Sequence, residues 1–187
     1  MTFTQGKVKT VFQLDDPGLV LIQYEDKVTA GNGKKEAYYD NKGKICCLIS
    51  QLLFQELEKY GIETHYVGMP TYRAMSCKEV KIIPIEVVVR NVAAGSIVRQ
   101  TTIEEGTAFI NPLIEFYLKD DAKDDPLLTE DRIGIMGDYP IRTLKQRAGE
   151  VNAILKNIFD RIGFTLVDFK LEYGYDKDGN LLLADEL

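Results

Sequence analysis

The segment Asp168-Phe169-Lys170-Leu171-Glu172 carries three ionisable side chains at alternate positions. In a β-strand alternate side chains share a face, so Asp168, Lys170 and Glu172 form one charged row while Val167, Phe169 and Leu171 point the other way. Further on, Asp178-Gly179 signals a two-residue type I′ turn; flanked by Lys177 and Asn180, it sets a register that places Glu172 opposite Asp185. Facing carboxylates repel. A divalent cation relieves the repulsion, and hard oxygen ligands suit Mg²⁺ when substrate phosphates complete its shell. The same pattern also describes a solvated hairpin face, and a three-residue loop would shift the register and break the pairing.

Anion-binding residues occur in two further places. Gly6-Lys7-Val8-Lys9 opens the first expected strand with two lysines on one face, able to lie along a polyphosphate while glycine lets the backbone approach it. The alternative is an edge strand guarded by lysines. Arg90-Asn91-Val92-Ala93-Ala94-Gly95-Ser96 leaves a buried strand and enters a short helix. Its small residues leave N–H groups for a monophosphate, and Arg90 can add a bidentate contact. A plain N-cap by Ser96 explains the same residues. His65 is the only histidine, which largely excludes His-based triads and multi-histidine metal sites; it reads as structural. Thr71-Tyr72-Arg73 reads as a turn with a solvated arginine. Cys46, Cys47 and Cys77 lack CxxC spacing and read as core filling.

These residues need a scaffold, and 187 residues suffice for one large domain or two small lobes sharing a cleft. A formal charge of −6 argues against sequence-independent binding to nucleic acid or anionic membrane. With no signal core and no stretch near the roughly 20 apolar residues of a membrane span, the expected location is cytoplasmic. Residues 7–14 and 19–24 form a hairpin around Asp15-Asp16-Pro17-Gly18. The polar stretch 26–43 reads as a functional loop. A helix spans about 45–60, with Ile45, Leu48, Ile49, Leu52, Leu53 and Leu57 as its apolar stripe and Gly61 just past its end. Extended segments follow at 64–67 and 72–77. Pro84 interrupts 81–91 before a buried strand at 86–90. The charged run 120–126 is a surface or site loop, 144–162 is a second helix closed by Gly163, and a hairpin at 165–175 and 180–186 ends the chain.

Together these segments resemble the SAICAR synthase family. The resemblance rests most on Ile83-Pro84-Ile85-Glu86-Val87-Val88-Val89-Arg90-Asn91-Val92-Ala93-Ala94-Gly95-Ser96 and on Val167-Asp168-Phe169-Lys170-Leu171-Glu172-Tyr173-Gly174. Gly6-Lys7-Val8-Lys9, Thr29-Ala30-Gly31-Asn32-Gly33, Ile103-Glu104-Glu105-Gly106, Glu115-Phe116-Tyr117-Leu118-Lys119 and Ala184-Asp185-Glu186 follow in the family's order.

The resemblance implies an α+β, two-lobed, kinase- or ATP-grasp-like fold. Residues 1–80 would form an antiparallel nucleotide-binding lobe, and 81–187 an α/β lobe for substrate and metal. It also implies a reaction in which ATP phosphorylates the carboxylate of CAIR and the amine of L-aspartate displaces phosphate to give SAICAR. Phosphoryl transfer of this kind depends on positioning and charge neutralisation. By position Lys7, Lys9 and Glu172 serve ATP, and Glu172 and Asp185 hold Mg²⁺. Arg90 and Ser96 receive the ribonucleotide phosphate, Lys170 and Asp168 orient the reacting groups, and Asn32 and Asp125 line the substrate side.

The chain departs from the family in two places. Lys44-Ile45-Cys46-Cys47 stands where an Asn pair is common, and the chain reaches Leu187 without the family's following Ser-Pro-Asp and Arg-Leu-Trp-Asp segment. The second departure sustains an alternative, a non-catalytic nucleotide-binding or regulatory homologue. It also suggests a homo-oligomer, since Leu181 to Leu183 would lack their usual cover.

Overall fold

The computed structural model describes residues 2–30 and 35–187, with the backbone alone at Thr2, Phe3 and Ala30. Asn32 lies outside the described residues. The chain divides into two compact units, Met1–Ile82 with Gly174–Leu187, and Ile83–Tyr173.

The first unit is built on an antiparallel sheet of β1 (Thr2–Gln5), β2 (Lys9–Gln13), β3 (Leu19–Tyr24), β6 (Tyr66–Thr71) and β7 (Ala74–Lys78), in the order β1-β2-β3-β7-β6. Alternation in β3 buries Val20, Ile22 and Tyr24. The expected hairpin is present, with Lys9 opposite Tyr24 and Gln13 opposite Val20. The role of Gly6-Lys7-Val8-Lys9 differs from expectation: β1 pairs with β2, and the Gly6 N–H donates to the Lys9 carbonyl at 2.8 Å. These four residues therefore form a turn, and Lys7 and Lys9 share no strand face. The polar stretch after β3 folds into a two-stranded hairpin, β4 (Lys27–Ala30) with β5 (Lys35–Tyr38).

Helix α1 (Lys42–Lys59) packs on β3, β6 and β7. Gly61, at φ 84°, ends it as a Schellman motif, its N–H donating to the Glu58 carbonyl while Ile62 N–H reaches the Leu57 carbonyl. The buried residues are Gly43, Cys47, Ser50, Phe54 and Leu57, so of the aliphatic stripe expected only Leu57 is fully buried. Ile45, Ile49 and Leu52 remain exposed. Backbone approach sets this rotation, since a Cβ on Gly43 would lie 2.7 Å from the Tyr24 carbonyl oxygen. Only a residue without a side chain can occupy that face at the entry of the helix.

Strand β12 (Leu181–Ala184) joins this unit through the Leu183 N–H to the Glu63 carbonyl and the His65 N–H to the Leu183 carbonyl. Leu181, Leu182 and Leu183 are all buried, so the uncovered edge that suggested self-association is not there. The preceding turn also corrects the register. Asp176 N–H donates to the Asn180 carbonyl and Gly179, at φ 83°, donates to the Asp176 carbonyl, giving a three-residue loop, Lys177-Asp178-Gly179. The Asp176 carboxylate fixes this form by accepting from the backbone N–H groups of Asp178 and Asn180 and from the Asn180 amide. A one-residue shift exchanges the faces of a strand, so the turn no longer supports Glu172 directly opposing Asp185.

The second unit holds most of β8 (Lys81–Val92) and β11 (Asp168–Tyr175), with all of β9 (Ala108–Leu118) and β10 (Leu127–Leu128). The sheet order is β10-β9-β8-β11-β12. In β8 one face buries Ile83, Ile85, Val87 and Val89, and the opposite face carries Glu86 and Arg90. Pro84 does not interrupt the strand; it forfeits only an N–H, and its carbonyl accepts from Lys119 N–H. Helix α4 (Ile141–Arg161) packs against β9 and buries Leu144, Ala148, Val151, Asn152 and Leu155. Asn91 and Asn152 exchange two amide hydrogen bonds in the core, at 2.8 and 2.9 Å. Short helices α2 (Ser96–Gln100) and α3 (Glu130–Met136, capped by Thr129) complete the unit. Among the described residues no helix is long and apolar enough to cross a membrane.

Candidate active site

Arg90 is buried near the end of β8, its side chain 7 % exposed. Its Nε donates to Glu115 at 2.7 Å, Nη1 to the Ala94 carbonyl at 3.2 Å and Asp168 at 3.3 Å, and Nη2 to Ser96 Oγ at 2.7 Å and Tyr117 at 3.3 Å. These contacts match the five N–H donors of a guanidinium. Burial opposes the charge, but Glu115 and Tyr117 outweigh it and raise the Arg90 pKa. Arg90 thus fixes the loop after β8 from within, gathering Ser96 and Asp168, which sequence alone did not connect. The cap of α2 is Gly95, at φ 68°, with no side-chain cap bond; Ser96 is not a plain N-cap, and its hydroxyl proton can still be donated after it accepts from Arg90.

A second constellation lies on β8, β9's end and β11. Glu172 is 2 % exposed, which removes the solvated-face reading for that residue. Its Oε1 accepts from Lys170 at 2.5 Å and from Lys119 at 2.8 Å, while Lys170 also reaches Glu86 at 2.7 Å and Lys119 lies 3.7 Å from Glu86. Two carboxylates and two ammonium groups alternate, and the cluster is neutral. Burial pushes the Glu86 pKa up, partly countered by Lys170. Burial pulls on Lys170 in the direction of lower pKa, yet Glu172 and Glu86 together hold it above the ordinary lysine value. The lysine side chains are 42 % and 41 % exposed against 3 % for Glu172, so the anion is the anchored partner and the cations are its movable cover. Sequence reading missed Glu86 and Lys119 as members, although both stand inside the motifs quoted above.

The first unit carries its own charged group. Lys9 Nζ lies 2.5 Å from Asp185 and 3.3 Å from Glu186, and 6.0 Å from the centroid of the Tyr24 ring. Burial acts to lower the Lys9 pKa, but the two carboxylates prevail and raise it. Asp185 has φ 65°, just past β12, a left-handed conformation that aspartate tolerates better than most residues. Lys7 is exposed in the turn before β2.

Beside this group is a cavity of about 220 Å³, walled by apolar Val11, Val20, Ile22, Val80 and Ile82, with His65 and Asp185 in the lining. None of the aliphatic walls was singled out as a site residue, because in sequence they are ordinary strand residues. His65 is 2 % exposed, and burial pulls its pKa down to about 4.

Asp125 stands in the expected loop, at φ 43°, where its Oδ1 accepts from the Asp120 N–H at 2.9 Å. Among the described residues no three His, Cys, Asp or Glu side chains gather as a protein-only metal cage.

Known proteins agree with this architecture along the whole chain. The SAICAR synthetase family profile matches residues 2–187. The phosphoribosylaminoimidazole-succinocarboxamide synthase of Acaryochloris marina is 47 % identical over 186 residues, covering 98 % of this chain and 76 % of its own. The Staphylococcus carnosus protein of the same name is 42 % identical, covering 98 % and 80 %. Among solved structures, the Ehrlichia chaffeensis phosphoribosylaminoimidazole-succinocarboxamide synthase superposes with a TM-score of 0.95 at 37 % identity, covering 100 % of this chain and 81 % of that one. A SAICAR synthetase in complex with ADP gives 0.94 at 35 % identity, covering 98 % and 79 %. With a profile match, close relatives and a shared fold over nearly every residue, this chain belongs to the SAICAR synthetase family.

Proposed function

We propose that the protein joins L-aspartate to the carboxylate of CAIR at the expense of ATP, yielding SAICAR, ADP and phosphate. The carrying observation is Glu172, a buried carboxylate covered by two half-exposed lysines at 2.5 and 2.8 Å. Such an arrangement keeps an anion in place and lets its counter-charges move when a cation and a polyphosphate arrive. Family membership supplies the reaction, and the ADP bound by a structural relative supports a nucleotide site.

The apolar cavity of the first unit would take the adenine, and Lys9 and Lys7 would run along the phosphates. Glu172 and Asp185 would hold Mg²⁺, which neutralises phosphate charge when bound. Glu172 and Asp185 offer the hard oxygen donors this ion prefers, and each is now neutralised by lysine, so binding the ion requires those ammonium groups to shift towards phosphate. Lys170, released from Glu86 and Glu172, would orient the carboxylate that is phosphorylated. Ser96, set by Arg90, would donate to the ribonucleotide phosphate, with Asp168 held on the same guanidinium and Asp125 and Asn32 on the substrate side.

Purified protein incubated with ATP, Mg²⁺, CAIR and aspartate is expected to release ADP and form SAICAR, followed by chromatography of the products. Nucleotide binding without aspartate-dependent turnover would overturn the enzyme reading in favour of a non-catalytic homologue.

A further inference from the structure

Lys119 has two carboxylates within reach, and the β-ladder favours the one its ammonium touches less closely. Its backbone N–H donates to the Pro84 carbonyl at 3.1 Å, and in the same ladder Glu86 pairs with Tyr117. Glu86 and Lys119 are therefore diagonal neighbours on one face of an antiparallel pair, close enough for a long side chain to bridge. Nevertheless the Lys119 ammonium lies 2.8 Å from Glu172 Oε1 and 3.7 Å from Glu86 Oε1. A charge-assisted hydrogen bond spans about 2.8 Å, so closing on Glu86 takes a movement of about 1 Å. The side chain of Lys119 is 42 % exposed and free to make it, whereas those of Glu86 and Glu172 are 12 % and 3 % exposed and stay where the strands put them.

We infer that Glu86 is a positioning residue, the second seat of Lys119: when Glu172 turns to a cation, the Lys119 ammonium passes to Glu86 and stays beside the polyphosphate. This rests on the reading of Glu172 as a ligand of Mg²⁺ bound with ATP. Charge balance requires such a seat. With Glu172 engaged by the ion, Lys119 and Lys170 must each meet another anion, and Lys170 turns to the carboxylate that is phosphorylated. Lys119, tied at its backbone to Pro84, keeps Glu86 within reach. An ammonium has three donors and can bond Glu86 and a phosphate oxygen together. Without the charge on Glu86, Lys119 would compete for Glu172 or repel the ion held there.

The test measures ATP binding by calorimetry in EDTA and again in excess Mg²⁺, for the full chain and for Glu86→Gln, which keeps the size and a hydrogen-bond acceptor but not the charge. The variant has a surplus ammonium, so it is expected to bind metal-free ATP about two- to fivefold more tightly than wild type does. MgATP is expected to bind it about tenfold more weakly, the worth of one hydrogen bond to a charged group. Damage to the fold would weaken both. Unchanged affinity for MgATP, or equal weakening of ATP and MgATP, overturns the inference. Glu86→Asp restores the charge one methylene short and is expected to recover most of the preference for MgATP; no recovery also counts against the role. A crystal structure of wild type with Mg²⁺ and a non-hydrolysable ATP analogue needs no variant. Lys119 Nζ is expected within hydrogen-bond distance of Glu86 and away from Glu172; Lys119 still on Glu172 with the ion bound there refutes the transfer. Wild type that gains nothing from Mg²⁺, or an ion bound away from Glu172, would instead bring down the metal reading itself, and the inference with it.

Discussion

Titrating stability against pH isolates the cost of burying His65. Above 6.5 the ring is neutral in folded and unfolded chains, and its burial adds no pH dependence. As pH falls below 6.5 the unfolded chain takes a proton that the folded chain refuses, so stability is lost until the folded value of about 4 is reached, and levels off below it. The full interval amounts to about 3 kcal/mol, and the part between neutrality and pH 5 to about 2 kcal/mol. Other groups titrate as well. Glu86, whose pKa is raised by burial, acts in the opposite sense, because its folded form binds a proton before its unfolded form does. These contributions are common to wild type and His65→Phe and cancel in the difference. Urea unfolding at pH 7.5 and pH 5, each monitored by far-UV circular dichroism, is therefore expected to show wild type losing about 2 kcal/mol more than His65→Phe on acidification. Equal losses would mean that the buried ring accepts a proton freely, and would refute the account of its environment.

Glu172→Gln and Asp185→Asn are each expected to depress turnover on the order of a hundredfold, with far-UV circular dichroism unchanged; near wild-type rates in both would exclude the metal pair. Arg90→Ala leaves Glu115, 11 % exposed, without its counter-charge and should cost about 3–5 kcal/mol in urea unfolding. Asn91→Leu strands one amide in the core and should cost about 1–3 kcal/mol. The double variant with Asn152→Leu is expected to lose less than the sum of the two single changes, a coupling that a thermodynamic cycle measures directly.

Much of the scaffold was legible because it follows short-range rules. The turn at Asp15-Asp16-Pro17-Gly18 separates β2 from β3 as its composition requires, and Gly61 and Gly163, both at positive φ, end helices where apolar periodicity stops. Failures arose where a distant partner decides. The apolar pattern of α1 suggested a stripe through Ile45 and Ile49, but the face that packs is chosen by the approach of Gly43 to Tyr24. Local composition did not announce β1, a four-residue strand that exists because β2 offers it an edge, and its presence turns Gly6-Lys7-Val8-Lys9 from strand into turn. The Asp178-Gly179 signal marked the last hairpin correctly but not its length, since the Asp176 carboxylate draws Asn180 into the closing pair.

By itself the sequence determined the family, the existence of a charged strand at Asp168 to Glu172, and the residue types available for anion and metal binding, because these depend on order along the chain. Tertiary structure decided what each charge is worth. Glu172 became a buried anchor only when Lys119 arrived from β9's end to share it with Lys170, and Arg90 became a fixed hub only when Glu115, Tyr117 and Asp168 closed around it. His65, unremarked as a site residue in one dimension, acquired an orphan nitrogen and a place in a cavity wall. The physical reason is the same in each case: burial and pairing are properties of neighbours distant in sequence, and they set whether a polar side chain is solvated, satisfied or left unpaired.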